Sequence, residues 1–113
     1  MRRLTGQILL PPNAPTRTAA ITLIEVRDVS VVDAPSLVVA HQRLNSLKIK
    51  PDERINFQFD VLEVAENRSL ALRIHISFDG SSQPKSGDLL SVSRYPVPSQ
   101  GQPEPILVAV VVI

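Results

Sequence analysis

The sequence predicts an all-β protein, folded as a single antiparallel β-sandwich of about seven strands that forms one domain over residues 1–113. Three observations lead to this prediction. Apolar and polar residues alternate in several short runs, which is the period of a half-buried strand. Polar segments containing many of the ten prolines separate these runs. No window sustains a helical period, so we expect strands rather than helices throughout.

The clearest alternation lies in two neighbouring runs in the middle of the chain. In Ile55–Leu62 and in Ser69–Asp79, every second residue is large and apolar. We expect the two runs to form a central hairpin across the polar segment Glu63–Arg68, with their apolar faces at the centre of the core. The residues between the apolar positions, including Arg73 and His75, are expected on the wet face. The predicted core residues are Ile55, Phe57, Phe59, Val61, Leu70, Leu72, Ile74, Ile76 and Phe78.

The first half of the chain contains three further strands. Leu4–Leu10 alternates and ends at Pro11-Pro12, because proline cannot donate a ladder hydrogen bond. Ala20–Asp28 begins with apolar residues on both faces, so its first half is expected to be covered on both sides. Leu37–Leu44 resumes the alternation, and Pro51-Asp52 marks a turn before the central hairpin.

The last part of the chain contains two more strands. Leu89–Tyr95 is expected to end at Pro96. Ile106–Ile113 is apolar on both faces, and such a strand left on an open edge would invite pairing with another chain. We expect it to lie inside a sheet; the alternative is that its second face is an interface. A small closed barrel made of the same strands is the alternative fold.

Composition excludes several classes of function. The net charge is +1 and neither sign forms a block, so the basic stripe that nucleic acid binding requires is missing. The chain has no cysteine, which excludes disulfides, thiolate metal sites and cysteine nucleophiles. Thr5-Gly6-Gln7 interrupts any apolar run after Arg2-Arg3, and Ile106–Ile113 is far shorter than the ~20 residues of a membrane-spanning helix. We expect no nucleic acid partner, no export signal and no direct membrane insertion.

No residue is predicted to be catalytic, cofactor-binding or metal-binding. His41 and His75 are the only histidines, and both are expected to be partly exposed on strands. A zinc site needs three or four ligands, and no cysteine is present to complete one. The sequence also lacks a glycine-rich phosphate loop and the Gly-x-Ser-x-Gly pattern of a nucleophilic serine. We therefore expect no catalysis and no cofactor.

Two loops carry carboxylates that a hard cation could contact. The first contains Asp28, Ser30 and Asp33, and the second contains Asp79 and Asp88. Calcium takes six to eight oxygen ligands, which is more than either loop supplies. We therefore expect these side chains to cap turns by accepting hydrogen bonds from nearby backbone N–H groups.

Short motifs made of turn residues extend over nearly the whole chain: Leu4-Thr5-Gly6, Asp28-x-Ser30-x-x-Asp33-Ala34-Pro35, Gln42, Tyr95-Pro96-Val97 and Gly101 before a valine-rich end. In these motifs the sequence resembles the YbaY/YscW family of small bacterial envelope lipoproteins, which includes type III secretion pilotins. The resemblance implies a β-sandwich, no catalysis, a place in the cell envelope or periplasm and, for the pilotin members, a chaperone-like contact with a secretin subunit. The chain has no cysteine and so no lipobox.

We therefore expect a non-enzymatic interaction module whose partner is a protein segment or a second copy of the chain. The segment would add a strand to an exposed sheet edge or lie across an apolar groove. The alternative is a module that binds glycans or another small ligand, since β-sandwiches often do so. The chain has one tyrosine and no tryptophan, which is a poor composition for stacking against sugars.

Overall fold

The computed structural model describes residues 2–30, 36–61, 68–98 and 105–113 and confirms an all-β architecture for them. None of these residues forms a helix, and hence none belongs to a helix that could cross a membrane. The strands of this part of the chain are β1 (Arg2–Leu9), β2 (Arg17–Asp28), β3 (Leu37–Ile49), β4 (Arg54–Val61), β5 (Leu70–Ser77), β6 (Leu89–Leu90), β7 (Tyr95–Val97), β8 (Ile106–Ala109) and β9 (Val111–Val112).

The strands form two sheets packed as a β-sandwich. The smaller sheet has the order β4-β1-β8, in which β1 is antiparallel to β4 and parallel to β8. The larger sheet has the order β3-β2-β5-β6-β9, and β7 also pairs with β5. Because the two sheets are separate and each has edge strands, the alternative of a closed barrel is wrong.

The core lies between the two sheets and consists of their alternating apolar residues. Leu4 and Ile8 of the smaller sheet and Ile24 of the larger sheet are almost completely buried. Each such side chain contributes roughly 1.5–3 kcal/mol through burial. Of the predicted core residues, Ile55 and Phe59 are half-buried and all the others are buried.

The predicted central hairpin is wrong, because β4 and β5 belong to different sheets. β4 pairs with β1, with Phe59 opposite Leu4, whereas β5 pairs with β2, with Ile74 opposite Ile24. Alternation determines which face of a strand is buried, but it does not determine which neighbour supplies the hydrogen bonds. The apolar faces of both strands still meet in the core, from opposite layers. Residues 62–67, which join the strands, lie outside the described ranges.

Gly6 is required where β1 passes beneath an aromatic ring. Gly6 lies opposite Phe57 in the β1–β4 pair, and Phe57 is buried. A Cβ atom at position 6 would overlap the Phe57 ring, approaching its Cε2 atom to 2.9 Å. The glycine therefore leaves the space that the ring occupies.

The pair formed by β2 and β3 is longer than predicted. The alternation suggested strands over Ala20–Asp28 and Leu37–Leu44, but β3 continues to Ile49 past Ser46, whose φ is 54°. The predicted Pro51-Asp52 turn follows it, with Asp52 at φ 59°. We expected both faces of the first half of β2 to be covered. This is confirmed only in part, because the outward-facing side chain of Ile21 is half-buried.

The predicted strand Leu89–Tyr95 is interrupted. β6 and β7 pair with successive parts of β5, and Ser91–Arg94 bulge between them. Ser91 holds the bulge to β5, since its N–H donates to Ile74 O (3.0 Å) and its Oγ accepts the Ile74 N–H (2.8 Å). Pro96 lies within β7 rather than ending the strand. β7 pairs with β5 on one side, and the missing N–H of Pro96 falls on the other side, where no ladder hydrogen bond is lost.

The C-terminal segment does not lie inside one sheet, so that expectation is wrong. β8 is an edge strand of the smaller sheet, β9 is an edge strand of the larger one, and Val110 between them donates its N–H to Leu9 O. Crossing between layers buries Val108 and Val110 and leaves Leu107 and Val111 exposed. Apolar residues on both faces thus reflect a strand that changes sheets.

Candidate functional site

Charged side chains lie close together on the outer face of the larger sheet. This face points away from the smaller sheet. Two rows run across β3, β2 and β5 there. The first row joins His41, Glu25 and Arg73, and the second joins Arg43, Leu23 and His75. Strands alternate faces, so these residues lie opposite the buried apolar side.

Glu25 is a carboxylate buried between two guanidinium groups. Only 7% of the residue is exposed. Its Oε1 accepts hydrogen bonds from Arg27 Nε (3.3 Å) and Nη2 (3.0 Å) and from Arg73 Nη1 (3.2 Å). Arg27 Nη1 also donates to Ser36 Oγ at 2.9 Å. A buried charge requires such partners, and here two cations share one anion.

A cavity of about 180 Å³ opens beside this cluster, between β2, β5 and the Ser91–Arg94 bulge. Three arginines line it, Arg27, Arg73 and Arg94, together with apolar residues that include Ala71 and Val92. Arg94 forms no ion pair with any residue in the described ranges. The cavity thus combines an excess of positive charge with an apolar wall.

His75 and Asp88 form a buried pair on the same face. His75 Nε2 lies 2.8 Å from Asp88 Oδ2, and this oxygen also accepts the Lys85 N–H at 3.0 Å. The loop from Asp79 to Asp88 therefore folds over β5. This loop buries His75 and Ser77, which the alternation had placed on the wet face, so that prediction is wrong.

The two histidines are separated on the sheet. His41 is exposed on β3, as predicted, whereas His75 on β5 is only 4% exposed, contrary to the prediction. Among the residues that the structure describes, no group of three or more His, Asp or Glu side chains is arranged to hold a metal ion. His75 bonds to Asp88, and in the same ranges no serine hydroxyl bonds to His75.

Asp28 and Ser30 cap a turn, as predicted. Asp28 Oδ1 accepts the Ser30 N–H at 2.9 Å, and Ser30 Oγ accepts the Ser69 N–H at 2.7 Å. The hydrogen bonds from Ser30, with a smaller contribution from Arg68, hold the pKa of Asp28 below its ordinary value. Asp33, the third residue of this predicted group, lies outside the described ranges.

Asp79 caps a second turn, also as predicted. Its Oδ1 accepts the Ser81 N–H at 2.9 Å, and its Oδ2 lies 2.6 Å from Lys85 Nζ. The Lys85 hydrogen bond and then the Ser81 bonds hold the pKa of Asp79 far below its ordinary value, and Asp79 in turn raises the pKa of Lys85. Asp79 and Asp88 thus hold separate contacts within one loop rather than a shared site.

The start of β3 is an exposed apolar edge. Leu37, Val38 and Val39 are 70%, 44% and 37% exposed, and within the described chain β3 pairs only with β2. The whole strand carries Arg43 and Lys48 but no carboxylate. We refer to residues 37–43 as the β3 edge.

Aromatic side chains are not arranged as a platform for sugars in the described ranges. The Phe57 ring packs over Gly6, and the Phe78 ring is covered by the Arg17 guanidinium, 4.5 Å from its centroid. Tyr95 uses its hydroxyl to bond both the N–H and the carbonyl of Ala109. The geometry therefore offers nothing in favour of the glycan-binding alternative.

Sequence reasoning missed the arginine cluster. The pattern Glu25-x-Arg27 does show that both side chains share one face of β2. Their meeting with Arg73 depends on the β2–β5 register, and the approach of Arg94 depends on the bulge between β6 and β7. Neither feature has a local sequence signal.

Comparisons with known proteins identify the fold. No protein family model matches the sequence. No curated protein matches it either. The structure is similar to that of an alternative pilotin from the type II secretion system of Vibrio cholerae, with a TM-score of 0.66 and 20% identity over 97% of this chain and 96% of that chain. The protein therefore has a pilotin-like fold, whereas membership of the YbaY/YscW family stays a prediction.

Proposed function

We propose that this protein is a non-enzymatic interaction module that binds an extended segment of a partner protein at the β3 edge. The observation that carries the proposal is the exposure of Leu37, Val38 and Val39 on an edge strand. An edge strand presents backbone N–H and C=O groups that can pair with a further strand. Natural edges are often protected by charges or by bulges. Residues 37–40 carry no charge, and the one irregularity there is a register shift that leaves Val39 as an extra residue opposite Val26 and Arg27.

The side chains of the β3 edge suit an acidic partner strand. His41 and Arg43 lie on the outer face, while Ala40 and Gln42 point inward. A partner strand with carboxylates at its outward positions would lie beside Arg43 and gain opposite-charge cross-strand pairs, each worth roughly 0.2–1 kcal/mol. Apolar residues at its inward positions would extend the core.

Self-association through β3 is the less favourable case. An antiparallel pair of two β3 strands could form no opposite-charge pair in any register, because each strand carries Arg43 and Lys48 and no carboxylate. Like charges placed opposite each other destabilise a strand pair. The charge pattern therefore favours a different chain as the partner.

A pilotin-like role in the cell envelope is the specific form of this proposal. It is supported by the fold shared with the Vibrio cholerae protein and by the resemblance to the YbaY/YscW family. In this form the partner would be a subunit of a secretion channel, and the protein would act as its chaperone. The β3 edge would supply the contact, without any catalytic residue.

The experiment uses an octapeptide in which valine alternates with glutamate, and a counterpart in which lysine replaces glutamate. We expect the glutamate peptide to bind, to protect additional β3 amides from hydrogen exchange, and to lose affinity when Val39→Glu places a like charge on the edge. Leu107→Glu, which charges an exposed apolar position on edge strand β8, is the matched control and should bind normally. Equal binding of both peptides, or protection confined to other strands, would contradict the proposal.

A further inference from the structure

We infer that the cavity lined by Arg27, Arg73 and Arg94 is a binding site for a carboxylate group. The inference rests on the proposed function only in taking a polypeptide as the source of that carboxylate. The cavity is a different surface from the free edge of β3, because it opens between β2, β5 and the Ser91–Arg94 bulge; of its lining residues, Arg27 lies opposite Val38 of the β3 edge.

The cavity carries an excess of positive charge. Three guanidinium groups line the cavity, and Glu25 is the one carboxylate bonded to them among the described residues. Arg73 uses only Nη1 for that contact, and Arg94 has no ion pair in the same part of the chain. Several N–H donors therefore remain for a second anion. A guanidinium presents them in a planar fork that matches a carboxylate.

The shape of the site suits an acidic side chain. A volume of about 180 Å³ exceeds the roughly 150 Å³ of a cavity known to hold benzene, so an acidic side chain fits. The Arg27 and Arg73 side chains are only 27% and 34% exposed, so solvent screens their charges less than at an open surface. Val29, Ala71 and Val92 supply an apolar wall for a carbon stem.

The apolar wall determines which anion suits the site. Arginine binds phosphate as well as carboxylate. The charges do not distinguish the two anions, because the guanidinium groups attract a doubly charged group more strongly just as Glu25 repels it more strongly. The apolar wall favours a charge carried on a hydrocarbon stem over a free inorganic ion. This feature points to a carboxylate.

The fold builds this site through the bulge between β6 and β7. Ser91 anchors the bulge with two bonds to Ile74, and the following residues rise away from β5 to bring Arg94 over the sheet. A regular strand would have continued the pairing and closed the space. The cavity is therefore a consequence of a specific backbone irregularity, and such bulges are often used to direct side chains at functional sites.

The test is a titration of ¹⁵N-labelled full-length protein with N-acetyl-glutamate amide, a ligand too short to add a strand, and with N-acetyl-glutamine amide. We expect N-acetyl-glutamate amide to shift the amide signals of Ala71, Leu72 and Ser91–Arg94, and N-acetyl-glutamine amide to shift none of them. Arg94→Gln should weaken glutamate binding about tenfold, which corresponds to about 1.4 kcal/mol and lies close to the lower end for a hydrogen bond to a charged group. Arg54→Gln removes an exposed arginine of β4, on the smaller sheet and outside this cavity, and should leave binding unchanged.

Two further ligands distinguish the source of the anion. N-acetyl-alanine carries only a chain-terminal carboxylate, so tighter binding than N-acetyl-glutamate amide would identify a C-terminus as the ligand, and weaker binding an acidic side chain. Inorganic phosphate that binds tighter than both would overturn the inference, as would equal binding of glutamate and glutamine or equal losses in Arg94→Gln and Arg54→Gln. If N-acetyl-glutamate amide does not bind while the octapeptide still protects the β3 amides from hydrogen exchange, the inference is wrong and the proposed function stands.

Discussion

His75 and Asp88 are bonded to each other at 2.8 Å beneath the loop that follows β5, and both are 4% exposed. The pair joins a strand of the larger sheet to the residue just before β6, so it fixes where the loop returns to the sheet. Removing either partner leaves the other buried without its hydrogen bond, which costs a large part of the desolvation penalty.

We expect Asp88→Ala to lower the free energy of unfolding by about 2–3 kcal/mol in urea denaturation at neutral pH. Lys85→Ala is the matched control, because it removes an exposed ion pair from the same loop and should change stability very little. Equal losses in the two variants would show that the loop as a whole, rather than the buried pair, stabilises the fold.

A second prediction concerns acid stability. The pKa of Asp79 is lowered by Lys85 and then by Ser81, and that of Asp28 by Ser30, both from an ordinary value of 3.8. A carboxyl whose pKa is depressed in the folded state contributes stability above its unfolded pKa and loses it as pH falls through the folded pKa. Solvent screens these exposed groups, so we expect a small drop in melting temperature from pH 5 to pH 3, and a still smaller one in Asp79→Asn.

Asp52→Asn is the control for this acid effect. Its carboxylate accepts no hydrogen bond from a residue in the described ranges, and asparagine tolerates its φ of 59°. This variant should show the same melting-temperature difference between pH 5 and pH 3 as the unmodified protein. A smaller difference in Asp52→Asn than in Asp79→Asn would contradict the assignment.

A third prediction tests the contact between Gly6 and Phe57. Gly6→Ala places a methyl group inside the space of the Phe57 ring, so we expect a loss of about 1–3 kcal/mol in the free energy of unfolding. Phe57→Leu creates space at the same point and should reduce the effect of the alanine. Denaturation of both single variants and the double variant measures the coupling, and strictly additive losses would show that the ring does not cause the strain.

The local alternation of the sequence was sufficient to predict the layers of this fold but not its connections. Leu72 and Ile74 are buried where the pattern placed them, because a period of two directly reports which face is covered. The pairing of β5 with β2 instead of β4 depends on contacts between residues distant in sequence, for example Ile24 with Ile74. Such contacts leave no trace in a local pattern.

The candidate sites were less predictable for the same reason. Both Asp28 and Asp79 cap turns through residues two positions away, so their roles could be inferred from neighbouring sequence. The burial of His75 depends on a loop that returns from Asp88, and the arginine cavity depends on an interrupted strand. These features appear only when the chain is folded.

The last prediction separates the structural role of Glu25 from its effect on the cavity. Glu25→Gln keeps an acceptor oxygen for Arg27 and Arg73 but removes the negative charge between them. Stability should fall, by about 1–2 kcal/mol because both arginines are partly exposed to solvent. The affinity for N-acetyl-glutamate amide should rise several-fold, since the incoming carboxylate no longer meets a buried like charge. Urea denaturation and the titration described above give the two measurements. If stability and affinity both fall, Glu25 mainly holds the arginines in place. If stability falls and affinity rises, Glu25 competes with the ligand for the arginines.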